Sequence, residues 1–182
     1  YAAMQIPIGL LVDRYGPRRL MSIGMAICAL SALGFALVHD LTLATLCRLL
    51  VGFGAGFAFV SAATLAARWF GPHRFAQMVG LTMMVGMAGG ATAQGPLGAA
   101  VDAWGWRESL IASAVPGLLL ALGVWLSVRD WPPGATVPLP ASGGTRALLL
   151  SLRRVAGRRQ NQIVAFIGAA MSAPMLAFAG FW

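Results

Sequence analysis

Residues 9–21 read GLLVDRYGPRRLM, with one acid and three arginines held within positions 13–19 between two long apolar runs. Those runs are typical of the chain. Of its 182 residues 59% are hydrophobic and only 10% charged, and its mean hydropathy is +0.79, whereas an ordinary soluble domain carries about 25% charged residues. That is the composition of a chain whose solvent is lipid. The net charge of +8 comes from thirteen arginines and no lysine. These interrupt hydrophobic spans instead of forming a basic face, which argues against a nucleic-acid binder.

A bilayer core about 30 Å thick needs around 20 apolar helical residues, and 20–38, 42–67, 75–101 and 109–128 each have that length. Residues 1–12 read as the end of a preceding helix, and 162–182, with Pro174, as the start of a following one. Tyr1 in place of an initiator Met and a final apolar run still open at Trp182 read as a segment of a longer chain. The lack of period-two alternation excludes strands. The expected fold is all-α, a polytopic membrane helical bundle, with a bundle over 1–128, a linker over 129–161 and the start of a second bundle over 162–182.

The joints between these helices are 13–19, 39–41, 68–74, 102–108 and 129–161, on alternating sides of the membrane. The first, third and fifth hold eleven of the thirteen arginines, while Asp40, Asp102 and Glu108 fall on the other side. The positive-inside rule places 13–19, 68–74 and 129–161 in the cytoplasm. In the last of these, the Pro/Gly-rich WPPGATVPLPASGG leads into TRALLLSLRRVAGRRQ. That segment reads either as an amphipathic turn on the membrane surface or as an arginine tether that enforces topology.

Shifted by 89 positions, GLLVDRYGPRR overlies GAAVDAWGWRE at 98–108. Gly9, Val12, Asp13, Gly16 and Arg18 match Gly98, Val101, Asp102, Gly105 and Arg107, and Tyr15 meets Trp104. Three helices separate the copies, so they face opposite sides of the membrane, as in an inverted three-plus-three repeat. Arg14 becomes Ala103 and Arg19 becomes Glu108, a loss of positive charge that fits a move from cytoplasm to exterior. Gly16 allows a tight reversal, and Pro17 starts the next helix. Asp13 can pair with nearby arginines or face the positive end of another helix.

The opening stretch resembles the cytoplasmic loop of the major facilitator superfamily (MFS), G-x-x-x-D-R-x-G-R-R, through Gly9, Asp13, Arg14, Gly16, Arg18 and Arg19, with Pro17 in place of the usual basic residue. RLLVGFGAG, with Arg48, Gly52, Gly54 and Gly56, resembles the family's fourth-helix pattern. The resemblance implies the N-terminal half of an MFS fold, running from part of helix 2 to part of helix 7 of twelve. It also implies a secondary transporter that moves a small-molecule substrate by alternating access, with the 13–19 loop at a cytoplasmic gate. The stretch ending in AQGPLGAA, residues 91–100, keeps Gly95 and Pro96 of the drug antiporters' helix-5 pattern but has Ala91, Ala99 and Ala100 where that pattern has glycine. QIPIGLLVDRYGPRR and ARWFGPHR resemble the bacterial organic-anion and sugar-phosphate permease branch more closely. The implied location is the bacterial inner membrane, with the lipid bilayer, the solute and a coupling proton or ion as partners.

Arg48 is the one ionisable group well inside a span, and a charge at that depth costs on the order of 3 kcal/mol. It reads either as a cavity arginine holding an anion or a carboxylate, or as a strut reaching Asp40, Asp102 or Glu108. Gly52 and Gly56, and Gly86, Gly90 and Gly95 with Pro96, read chiefly as close-packing positions. Helices 3 to 6 contain no Asp or Glu, so a titrating carboxylate for proton coupling would have to lie elsewhere in the protein. No nucleophile–base constellation, phosphate loop or metal-ligand cluster is present, so neither an enzyme nor a metal or cofactor is expected. A membrane sensor built on a permease fold, binding solute without flux, is the alternative function.

Overall fold

The computed structural model describes residues 5–134 and positions 157, 159, 160, 162, 163, 166, 167 and 170. The chain divides into two units, Tyr1–Pro140 and Ala141–Trp182. The described residues contain helices and no strand. In the first unit these are α1 (Gln5–Tyr15), α2 (Pro17–Leu37), α3 (Leu41–Trp104) and α4 (Trp106–Ser127). In the second, the described positions 159, 160, 162, 163, 166, 167 and 170 are helical. Most of the linker, including the stretch read as an amphipathic turn or tether, and residues 171–182 lie outside the described residues.

α3 has 64 residues, and at 1.5 Å per residue it would be about 96 Å long if straight, three times a bilayer core. It reverses at Gly71, whose φ of 66° and ψ of −179° break the helix. Leu65 and Trp69 before the break and Met78 and Leu81 after it line one cavity, so the two arms, 41–70 and 72–104, come together beside the break. The expected joint 68–74 has contracted to this one residue, and 13–19 and 102–108 have likewise contracted to Gly16 and Gly105, each at φ 87°. All three reversals follow an aromatic residue, as Tyr15–Gly16–Pro17, Phe70–Gly71–Pro72 and Trp104–Gly105–Trp106. A positive φ costs an L residue roughly 1–2 kcal/mol and glycine almost nothing. One glycine therefore turns the chain, and the helices run longer than apolar length alone predicts.

The two repeat copies share this geometry. The Gly16 amide donates to the Val12 carbonyl at 3.0 Å, and the Gly105 amide to the Val101 carbonyl at 2.8 Å. The next helix begins at once in both. The remaining joint, 38–40, is extended, and the Asp40 carboxylate caps α3 by accepting from the Leu43 amide at 3.2 Å.

α2 packs between the first arm of α3 and α4. Apolar surface gains nothing by leaving lipid for protein, so such contacts depend on close van der Waals fit between small residues. A Cβ on Gly24 would lie 2.8 Å from the Gly54 carbonyl oxygen and 2.7 Å from the Phe57 Cβ, and one on Gly117 of α4 would lie 3.0 Å from the Ala29 Cβ. α1 adds Ile8 and Val12 to a buried cluster with Leu20 and Phe57. In this unit every residue of the second arm from Gly80 to Ala99 is exposed.

α2, α3 and α4 are each long and apolar enough to cross a membrane, and α3, broken at Gly71, has the length for two crossings. The contacts sort the joints into two ends. Residues 16–18, 68–69 and 125–131 meet at one, and 35–36, 48 and 105–107 at the other. The alternation of sides read from the sequence is present in the fold.

Candidate functional site

The arginine-rich end carries the loop residues singled out in the sequence. Asp13, Arg14 and Arg19 are exposed, and the Arg14 guanidinium lies 5.5 Å from the Tyr15 ring centroid. Gly9, on α1, has open space where a Cβ would be. Arg18 is half-buried and committed within the bundle. Its Nε–H donates to the Trp125 carbonyl at 2.7 Å, and its guanidinium lies over the Trp125 ring at 5.2 Å.

Sequence reading missed Asp130. Gly16 gives α2 no capping side chain, and Pro17 has no N–H. The Arg18 amide donates instead to Asp130 Oδ1 at 2.7 Å. The same carboxylate occupies the space beside Gly16, where a Cβ would sit 2.5 Å from Oδ2. The residues either side of Asp130 are gripped from α3. The Trp69 indole N–H donates to the Arg129 carbonyl at 3.0 Å, and the Arg68 guanidinium lies 4.3 Å from the Trp131 ring centroid. A signal existed in the sequence, since Asp13 and Asp130 are the two acids on the arginine-rich side.

The opposite end holds Arg48. It is exposed, with its guanidinium 4.4 Å from the Phe35 ring centroid. Phe35 is tilted against Trp106 at 6.1 Å, and Arg107 lies over Trp106 at 4.5 Å. The charge is met by an aromatic face, a favourable cation–π arrangement. Asp40 caps α3. The Nε–H of Arg107 donates to the Ala36 carbonyl at 3.2 Å.

Among the glycines expected at helix contacts, Gly56 is pressed against α1, where a Cβ would lie 2.6 Å from the Ile8 Cδ1. Gly52, Gly86, Gly90 and Gly95 have nothing within 4 Å, and Pro96 sits exposed on the second arm of α3. The tight crossing is Gly24 against Gly54. A cavity of about 400 Å³ opens between α2, both arms of α3 and α4 at the arginine-rich end, walled by Met21, Leu65, Trp69, Leu81 and Val128, with Arg129 beside them. A second, of about 330 Å³, lies between α2, the first arm and α4, and Cys28 on its wall donates to the Val51 carbonyl at 3.4 Å.

A comparison with known proteins agrees with this architecture. "Probable anion transporter 5" of Arabidopsis thaliana is 28% identical over 82% of this chain and 35% of its own length. "Probable L-galactonate transporter" of Escherichia coli is 28% identical over 71% of the chain and 29% of its own. "Drug efflux pump JefA" of Mycobacterium tuberculosis is 32% identical over 69% and 24%. The chain thus spans between about a quarter and a third of these relatives' lengths. No solved structure matches it. The family model of the Major Facilitator Superfamily matches residues 1–182. An integral, multi-pass helical membrane protein, the chain belongs to that superfamily.

Proposed function

We propose that this chain is part of a secondary transporter that carries a small organic anion across the bacterial inner membrane by alternating access, with 13–19, 68–74 and 129–161 in the cytoplasm. It is not an enzyme. The observation that carries this reading is the inverted repeat, whose copies use the same glycine reversal and matching arginine contacts at opposite ends of one helical unit. Folds built from such repeats bind solute midway across the membrane and rock one bundle against the other. Relatives named for anions and for a sugar acid support the substrate class. The departure of AQGPLGAA from the drug-antiporter pattern points the same way. Exposed Asp13, Arg14 and Arg19 supply the gate's changeable contacts. Arg48 serves as the cation of the solute pathway, held in readiness on the Phe35 ring. No observation favours the sensor.

The test is flux in proteoliposomes containing the full-length protein, with radiolabelled galactonate and glucuronate as probes and a lipophilic cationic dye as control. Saturable anion uptake without dye movement is the expected result. Anion binding with no uptake would establish the sensor, and dye extrusion without anion uptake would overturn the substrate class.

A further inference from the structure

We propose that Asp130 is a positioning residue for the 13–19 joint, fastening the exit of α4 to the entry of α2 so that the two move as one piece. This inference rests on the reading of 13–19 as a gate loop.

The local chemistry explains why a distant carboxylate is recruited. A helix leaves its first four amides without intrahelical partners, and its N-terminus attracts negative charge. At α2 the capping position is Gly16, which has no side chain, and the first turn holds no acid. The joint itself cannot cap the helix, because the reversal uses its one residue as the glycine. Asp130 arrives from 112 residues away to accept the Arg18 amide at 2.7 Å. Its other oxygen fills the notch that the missing Cβ of Gly16 leaves open. Both oxygens are thus used against the joint.

The flanking residues show that Asp130 is held in place from both sides. Trp69 donates to the Arg129 carbonyl at 3.0 Å, and Arg68 covers the Trp131 ring at 4.3 Å. Three consecutive residues, 129–131, are attached to two different elements, α2 and the first arm of α3. At the repeat-equivalent turn the acid beside the glycine is local: Glu108, in the first turn of α4 itself, has an oxygen 3.2 Å from where a Cβ on Gly105 would lie. The residue 89 positions before Asp130 is Leu41, apolar and 81% exposed. The two turns therefore differ in where the carboxylate comes from, and only at the arginine-rich end does it arrive from a distant segment and tie two elements together.

The experiment uses the full-length protein in lipid nanodiscs without added solute, so that its result is independent of what, or whether, the protein transports. Hydrogen exchange is followed at the Arg18 amide, and in parallel a single cysteine at Arg14, in a background with Cys28 and Cys47 replaced by serine, is labelled with a soluble maleimide. Asp130→Ala should speed exchange at Arg18 by roughly ten- to a hundredfold, the loss expected for a charge-assisted hydrogen bond. It should also change the Arg14→Cys labelling rate at least threefold. Asp130→Asn, which keeps an oxygen acceptor, should restore most of both effects, and Leu41→Ala should alter neither. If Asp130→Ala is poorly expressed, Trp69→Phe carries the test, since loss of the bond to the Arg129 carbonyl should raise exchange at Arg18 and change labelling in the same direction. Unchanged exchange overturns the proposal. So does faster exchange with unaltered labelling, which would make Asp130 a helix cap only. If anion flux fails while these effects appear, the transport reading falls and the fastening stands.

Discussion

Arg18 and Arg107 make the same bond in opposite directions. Each is the second residue of its helix, and each donates its Nε–H to a carbonyl near the end of the other's helix, Trp125 for Arg18 and Ala36 for Arg107. Donors and acceptors are both 89 positions apart, so the repeat seen in eleven residues of sequence extends to a contact made outside them. α2 and α4 are thereby clasped at both ends. Arg18→Gln and Arg107→Gln should each lower the stability of the purified protein by about 1 kcal/mol, and additively, because the clasps are distant from each other. Thermal unfolding in detergent of the two single variants and the double variant checks this, and strong non-additivity would count against independent clasps.

The reversals differ in what surrounds the glycine. Alanine at Gly71 meets only the strain of φ 66°, with nothing within 4 Å. At Gly105 a Glu108 oxygen lies 3.2 Å from the new Cβ, at the movable end of a side chain. At Gly16 it meets Asp130, which is fixed by its bond to Arg18. Each substitution should cost about 1–2 kcal/mol for backbone conformation, with Gly16→Ala the most damaging. Adding Asp130→Ala should relieve part of the Gly16→Ala cost, measured as midpoint shifts in chemical denaturation.

Ser61 is fully buried, and its hydroxyl has no hydrogen-bond partner among the described residues. Thr64, one turn on, donates to the Val60 carbonyl at 2.8 Å. An unpaired buried hydroxyl lowers stability, so Ser61→Ala should be neutral or stabilising by up to about 1 kcal/mol. A marked loss of melting temperature would reveal a partner for the hydroxyl.

Asp13 and Asp102 are repeat mates, both exposed at a helix end, but only Asp13 lies among arginines. In the full-length protein Asp13→Asn should slow transport by about five- to thirtyfold through a change in the two-state balance, with solute affinity little altered and the inward-open form favoured. Asp102→Asn should be milder. Initial rates at matched surface expression decide the matter, and equal effects would make the 13–19 joint a simple turn.

The spans and their alternating ends were legible because lipid imposes apolar length, and the repeat was legible because its turn needs glycine twice. The helix ends were less so. A joint rich in arginine looks like a loop, yet at 68–74 only Gly71 leaves the helix, and Arg68 and Arg74 remain on the arms. Asp130 was hidden for a different reason, since its partner lies 112 residues away and nothing local marks an acid as another helix's cap. Arg48 reads from the sequence as a charge inside a span in need of a partner; in the fold it is exposed and lies 4.4 Å from the Phe35 ring centroid, a neighbour that nothing in the local sequence marks. The glycine pattern identified Gly56, whereas the Gly24–Gly54 crossing depends on which helices meet, which spacing along one helix does not encode.

The inverted topology is tested most directly at Arg14 and Ala103, repeat mates that are both exposed. Each is replaced by cysteine in turn in the full-length protein with its other cysteines removed, and intact cells are treated with a membrane-impermeant thiol reagent. Ala103→Cys should label from outside, and Arg14→Cys only after the membrane is permeabilised. Labelling of both from the same side would contradict the inverted repeat, and labelling of Arg14→Cys alone in intact cells would contradict the cytoplasmic placement of the arginine-rich end.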